Sequence, residues 1–219
     1  MERSSDIYEC FETVVPAGID PTVVAGKWSS IVQHYNEPHR YYHNWQHVRE
    51  CYDLFCRWKN EISVVADMRE VLLAIIYHDV IYKIGPGNNE EQSAFYFETD
   101  ANDLGFDRVT VRNVCQLIRD TTYSDGYSKS VFGDIDLSGL GAPPATFRRK
   151  SELIRKEYAS VSDEEYFLRR ACLMERFLTS PKIYNSEIFS MLEQTAKNNL
   201  EREMKRCERR LQELGVAGL

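Results

Sequence analysis

The sequence predicts an all-α protein, a bundle of about seven to nine helices, and three observations carry that expectation. Apolar residues recur at spacings of three and four through most of the 219 residues, as a helix with one buried face requires. Period-two alternation bounded by turn residues, the mark of half-buried strands, is scarce. Helix-starting combinations such as Asp20-Pro21 and Asn89-Glu90-Glu91 punctuate the chain instead.

The first substantial helix opens after Asp20-Pro21, where a capping residue precedes proline. It runs through Trp28 and Ile31 to about Tyr35, and Asn36-Glu37-Pro38 stops it. A second starts near Asn44 and places His47, Cys51, Leu54, Phe55 and Trp58 on one inward face, with His43 at its lip. The third, from about Val64 to His78, is apolar nearly all round, as expected for the central helix of a bundle, and its end delivers His78-Asp79 into the interior. Gly85-Pro86-Gly87-Asn88-Asn89 reads as a turn cluster, and Asn89 as the cap of a helix with Glu90 and Glu91 in its first turn. Asp107 to about Thr121 carries the stripe Val111, Val114, Cys115 and Ile118, after which Tyr123 to Lys129 reads as a loop. Phe132 to Leu140 holds Asp134-Ile135-Asp136-Leu137, and Pro143-Pro144 starts a helix through Leu153, Ile154 and Tyr158. The last long helix, about 187–214, presents Ile188, Leu192, Ala196, Leu200, Met204, Cys207, Leu211 and Leu214 on one side. Its charged side, Arg202 to Arg210, reads as solvated rather than as a nucleic-acid site.

A chain of this length buries a full core as one domain, 1–219, with its core motifs at 40–140. Acidic residues outnumber basic ones, 34 against 27, for a net charge of −7, which disfavours an extended nucleic-acid surface or an anionic membrane as partner. The longest apolar run, Val71 to Tyr77, falls far short of the ~20 residues that cross a bilayer. Glu2, Asp6 and Glu9 do not fit a secretory signal, so a cytoplasmic protein is expected. The six cysteines are scattered without a CxxC pair and read as reduced thiols.

The chemistry sits in His43 and His47, in His78-Asp79 and in Asp136. Together they offer a divalent cation nitrogen and oxygen ligands, with one histidine over for proton transfer. Two histidines four apart on a helix are weak evidence alone. A histidine and an aspartate at the end of the most apolar helix strengthen it, because a charge in such a place needs a partner.

The pattern His47, His78-Asp79, Asp136 resembles the HD superfamily of metal-dependent phosphohydrolases, and Tyr42-His43-Asn44-Trp45-Gln46-His47 is similar to a string in cyclic nucleotide phosphodiesterases. A closer likeness is to an uncharacterised group of predicted HD phosphohydrolases sharing Asn89-Glu90-Glu91, the Asp-x-Asp of Asp134 to Asp136, and Glu157-Tyr158, over roughly 25–205. The resemblance implies an HD-domain-like helical bundle, with His47, His78, Asp79 and Asp136 as ligands and His43 as general acid. The chain departs from the group in having Tyr123-Ser124 where a histidine is common, and Lys83 where an acidic residue is usual. On this reading Glu90 or Glu91 orients the water or a ligand histidine, and Arg40 and Lys83 hold phosphate oxygens. The cofactor is one or two divalent ions, with Mn, Fe, Mg, Co, Ni and Zn all compatible. The expected activity is hydrolysis of a small phosphorylated molecule or nucleotide. The alternatives are a non-catalytic metal- or nucleotide-binding module and a di-iron oxygenase, which would need further histidines that this chain lacks after His78.

Overall fold

The computed structural model describes residues 5–85 and 87–216, and these contain eleven α-helices and no strand. Contacts group the chain into two compact units, 1–122 and 123–219. No helix among the described residues is long and apolar enough to cross a membrane.

The first unit contains α1 (Ser5–Val14), α2 (Pro21–Tyr35), α3 (Trp45–Arg57), α4 (Lys59–Val65), α5 (Met68–Tyr77), α6 (Asn89–Asp103) and α7 (Arg108–Arg119). The middle position belongs to α5, in which every residue from Val71 to Tyr77 is buried and against which α1, α3, α4, α6 and α7 all pack. Burying side chains such as Leu73, Ile75 and Ile76 contributes about 1.5–3 kcal/mol each, so this helix anchors whatever lies at its end. Side-chain caps fix the starts: Asp20 accepts from Thr22 N at 2.8 Å, Asn44 from Gln46 N at 2.9 Å, and Asp107 from Val109 N at 2.9 Å.

The second unit contains α8 (Val131–Asp136), a 3-10 turn at Leu137–Gly141, α9 (Pro144–Glu157), α10 (Asp163–Thr179), a 3-10 segment at Glu187–Leu192, and α11 (Glu193–Glu213). Helices α10 and α11 pack along each other and bury Tyr166, Phe167, Ala171, Cys207 and Leu211. Asp134, wholly buried, accepts from Asn185 N at 2.7 Å, Ser186 N at 2.7 Å and the Ser186 hydroxyl at 2.6 Å, and so pins the 185–186 backbone to α8.

The structure corrects several sequence expectations. Eleven helices replace the expected seven to nine, because α1 and α10 were not anticipated and α4 is separate. The central helix begins at Met68 rather than Val64: Asp67 caps it through Arg69 N at 2.8 Å, while Val64 and Val65 lie exposed at the end of α4. Residues 187–192 form a 3-10 segment, so the last α-helix starts at Glu193. Asn89 does not cap α6. It is the first residue of that helix, and its side chain instead bonds the backbone of Lys83, accepting from Lys83 N at 3.0 Å and donating to Lys83 O at 3.0 Å. Pro86 of the expected turn cluster lies outside the described residues.

Candidate metal centre

At the end of α5 the last regular helical bond is His78 N to Ala74 O, 2.9 Å, and the chain then turns with Val80 N on Tyr77 O at 3.1 Å. This unwinding lets two adjacent side chains point the same way, which successive residues inside a helix, about 100° apart, do not do. His78 Nε2 lies 3.1 Å from Asp79 Oδ2. His47 Nε2, in the first turn of α3, lies 3.2 Å from His78 Nε2 and 3.9 Å from Asp79 Oδ2. Both imidazoles are buried, and Asp79 has 15% of its side chain exposed.

These three atoms pass a simple test for holding a cation. Ligand atoms about 2.0–2.2 Å from one ion stand roughly 2.8–3.6 Å apart when the angle between them runs from 90° to tetrahedral, and somewhat further when it is wider. His78 Nδ1 donates to Ile75 O at 3.1 Å, so that Nε2 carries the lone pair whenever the ring is neutral. Two ring nitrogens at 3.2 Å with a carboxylate oxygen beside them form a donor set of the kind that transition metals take. Burial opposes ionisation of Asp79, but His78, followed by His43 and His47, outweighs it and holds the carboxyl well below the usual carboxylate range.

His43 stands at the rim, half-buried. Its ring stacks on Tyr82 with centroids 4.2 Å apart and meets Tyr42 edge-on at 4.8 Å, and its centroid is 6.1 Å from that of His47. Tyr82 was given no role from sequence, although it lies three residues after Asp79, and Tyr42 entered only as the first residue of the motif that ends at His47. Trp45 packs on Trp28 and Tyr35, forming a wall behind the site.

Arg40 was expected to hold phosphate. Its guanidinium is wholly enclosed and donates to His43 O at 3.1 Å, Asp79 O at 2.5 Å, Val80 O at 2.9 Å and Glu37 Oε2 at 2.9 Å. It lies between the rings of Tyr35 and Tyr82, 5.2 and 5.6 Å from their centroids. In this arrangement it is a strut that fastens the His43 segment to the end of α5. Asp79 N donates to the Tyr35 hydroxyl at 3.1 Å, and Ile81 N to Ser93 Oγ at 3.1 Å, so the segment that carries Asp79 is held from α2 and α6 as well.

Lys83 is exposed and donates from Nζ to Gln92 Oε1 at 3.1 Å. Glu91 is taken by Arg119 in a two-point pair of 2.6 and 2.9 Å on the surface of α6 and α7, whereas Glu90, half-buried, occupies the same helical turn. His34 and His39, unassigned from sequence, serve local structure: His34 bonds Glu37 at 3.1 Å and His39 bonds Tyr82 O at 3.0 Å. Asp136 belongs to the second unit, at the end of α8, where the Tyr123 hydroxyl donates to it at 2.6 Å. Tyr123 has φ +46°, in the left-handed region that side chains other than glycine seldom occupy. Comparison of the chain with protein-family models, with curated proteins and with solved structures returns no match.

Proposed function

We propose that the protein is a metal-dependent phosphohydrolase acting on a small phosphate ester or nucleotide, with a site of the HD kind. The observation that carries this reading is the convergence of His47 Nε2, His78 Nε2 and Asp79 Oδ2, with a further histidine, His43, at the rim. His47, His78 and Asp79 would hold a divalent cation, which supplies positive charge to polarise a phosphoryl oxygen and to acidify water. His43, stacked on Tyr82 and half-exposed, delivers a proton to the departing alkoxide oxygen. Tyr35 and Arg40 fix the Asp79 backbone, so the carboxylate is presented without reorganisation. Glu90, half-buried in the first turn of α6, is the carboxylate proposed to orient water or a ligand imidazole. Lys83 is proposed to reach a phosphate oxygen from its loop.

The test is metal content followed by turnover. Purified protein supplied with manganese, iron, cobalt or zinc is expected to retain one ion or two, and to hydrolyse at least one member of a panel of phosphomonoesters, phosphodiesters and nucleotides. Asp79→Ala should lose the metal. His43→Ala should keep it while the chemical step slows about 100-fold or more. Asp136, proposed from sequence as a fourth ligand, is examined by the same measurement on Asp136→Asn. Full metal content and turnover in Asp79→Ala would overturn the assignment.

A further inference from the structure

Tyr123 opens the segment that leads into α8, and its backbone is held at φ +46°. Glycine or asparagine takes that conformation at little cost, and a bulky side chain does not. The turn is fastened on its far side: Gly126 N donates to Tyr123 O at 3.0 Å, and Gly126 lies so close to the Arg176 carbonyl of α10 that a Cβ there would collide with it. What a tyrosine brings to this strained position is a ring and a hydroxyl. The ring is buried, 9% exposed, with its centroid 6.1 Å from that of Phe177. The hydroxyl has one proton to give, and Asp136 Oδ2 at 2.6 Å takes it in preference to Gly133 O at 3.4 Å.

Asp134 and Asp136 stand two apart on α8, about 200° round the helix, and so face nearly opposite ways. The Asp134 carboxylate is engaged by the 185–186 backbone and the Ser186 hydroxyl. Asp136, half-buried, accepts from the phenol on one oxygen, and a carboxylate offers about four acceptor sites, so this bond does not remove its capacity to ligate a cation. We propose that Tyr123 is a positioning residue for the metal centre: its hydroxyl fixes the rotamer of the Asp136 carboxylate and presets it for a divalent ion. The proposal rests on the reading of Asp136 as a ligand given above. An aspartate that samples several χ1 wells is competent for only a fraction of the time, and the apparent affinity of its ion falls by that fraction. A donor on the carboxylate, held in place by the buried ring and the fastened turn, restores it.

Manganese affinity of the full-length protein, read from the free-ion EPR signal during titration, tests this without turnover. Tyr123→Phe keeps the ring and should weaken the affinity about 10-fold. Asp136→Asn should weaken it at least as much. Tyr123→Phe added to Asp136→Asn should then change it by less than about twofold, since the hydroxyl has no ligand left to position. With 3-fluorotyrosine at position 123 the hydroxyl is kept, so the affinity should stay at the wild-type value, and the fluorine resonance should shift when the protein is saturated with diamagnetic zinc. This arm needs no variant that loses the bond. Wild-type affinity in Tyr123→Phe beside a loss in Asp136→Asn would overturn the proposal and leave Asp136 a ligand. Equal losses from Tyr123→Phe in both backgrounds, or a fluorine resonance indifferent to zinc, would overturn it as well. Wild-type affinity in Asp136→Asn would remove Asp136 from the ligand set and the proposal with it, whereas metal loss in Asp79→Ala reports on the rest of the centre separately.

Discussion

Replacing Arg40 separates two roles that sequence alone does not distinguish. A phosphate clamp would stand free in the site, and its removal would weaken substrate binding while leaving the fold intact. The side chain is instead wholly enclosed, with donors on three backbone carbonyls and on Glu37. Hydrogen bonds to a charged group contribute about 1.5–3 kcal/mol each. Three carbonyls would therefore give roughly 5–9 kcal/mol if their terms were additive and no water returned. Water can re-enter from the partly exposed Asp79 side, which brings the expected cost of Arg40→Ala to about 3–5 kcal/mol. Lysine offers a point charge in place of a planar fork, so Arg40→Lys should recover less than half of this. Urea denaturation at equal protein concentration measures both variants, with the bound-metal stoichiometry of the folded fraction as a second readout. A loss below about 1 kcal/mol in Arg40→Ala, with an unchanged denaturation slope, would refute the strut.

Asp134→Ala should destabilise the second unit by about 2–4 kcal/mol, since it removes a buried carboxylate and leaves two partly buried backbone amides and a hydroxyl without their acceptor; a thermal melt reads this directly. Glu91→Gln breaks only a surface pair with Arg119 and should change stability by less than about 1 kcal/mol, whereas Glu90→Gln should weaken metal affinity about 10-fold in a competition titration. The Asp163 carboxyl is held below its ordinary value of 3.8 by Arg155 first and Arg210 next. Because its folded value is depressed, the stability it adds is present above the unfolded value and lost as pH falls through the folded one. Carbon-detected NMR titration should therefore place its midpoint below 3.8, and Arg155→Met should move that midpoint upward.

Local rules made the helices around the site legible. Asp20, Asn44 and Asp107 cap where short-range hydrogen bonding says they should, and the apolar run to Tyr77 marks α5 as central because nothing polar interrupts it. That run, and α5 with it, stops at Tyr77, directly before His78-Asp79. α10 was overlooked although Ser162 followed by Asp163, Glu164 and Glu165 is a helix start with acids in its first turn, and Ser162 Oγ accepts from Glu165 N at 3.2 Å. The expected start at Val64 failed because an apolar pair looked continuous with α5, whereas Asp67 offered the backbone a better cap. The role of Arg40 could not be read locally, since two of its acceptors lie 39 and 40 residues away.

The side chains of Asn89 and Ser93 do for the segment after Asp79 what a neighbouring strand would do, each engaging both the amide and the carbonyl of one residue, Lys83 and Ile81 respectively. Deuterium should accordingly enter the Ile81 and Lys83 amides slowly, at a pace set by the opening of the first turns of α6 and unusual for a stretch with no regular structure.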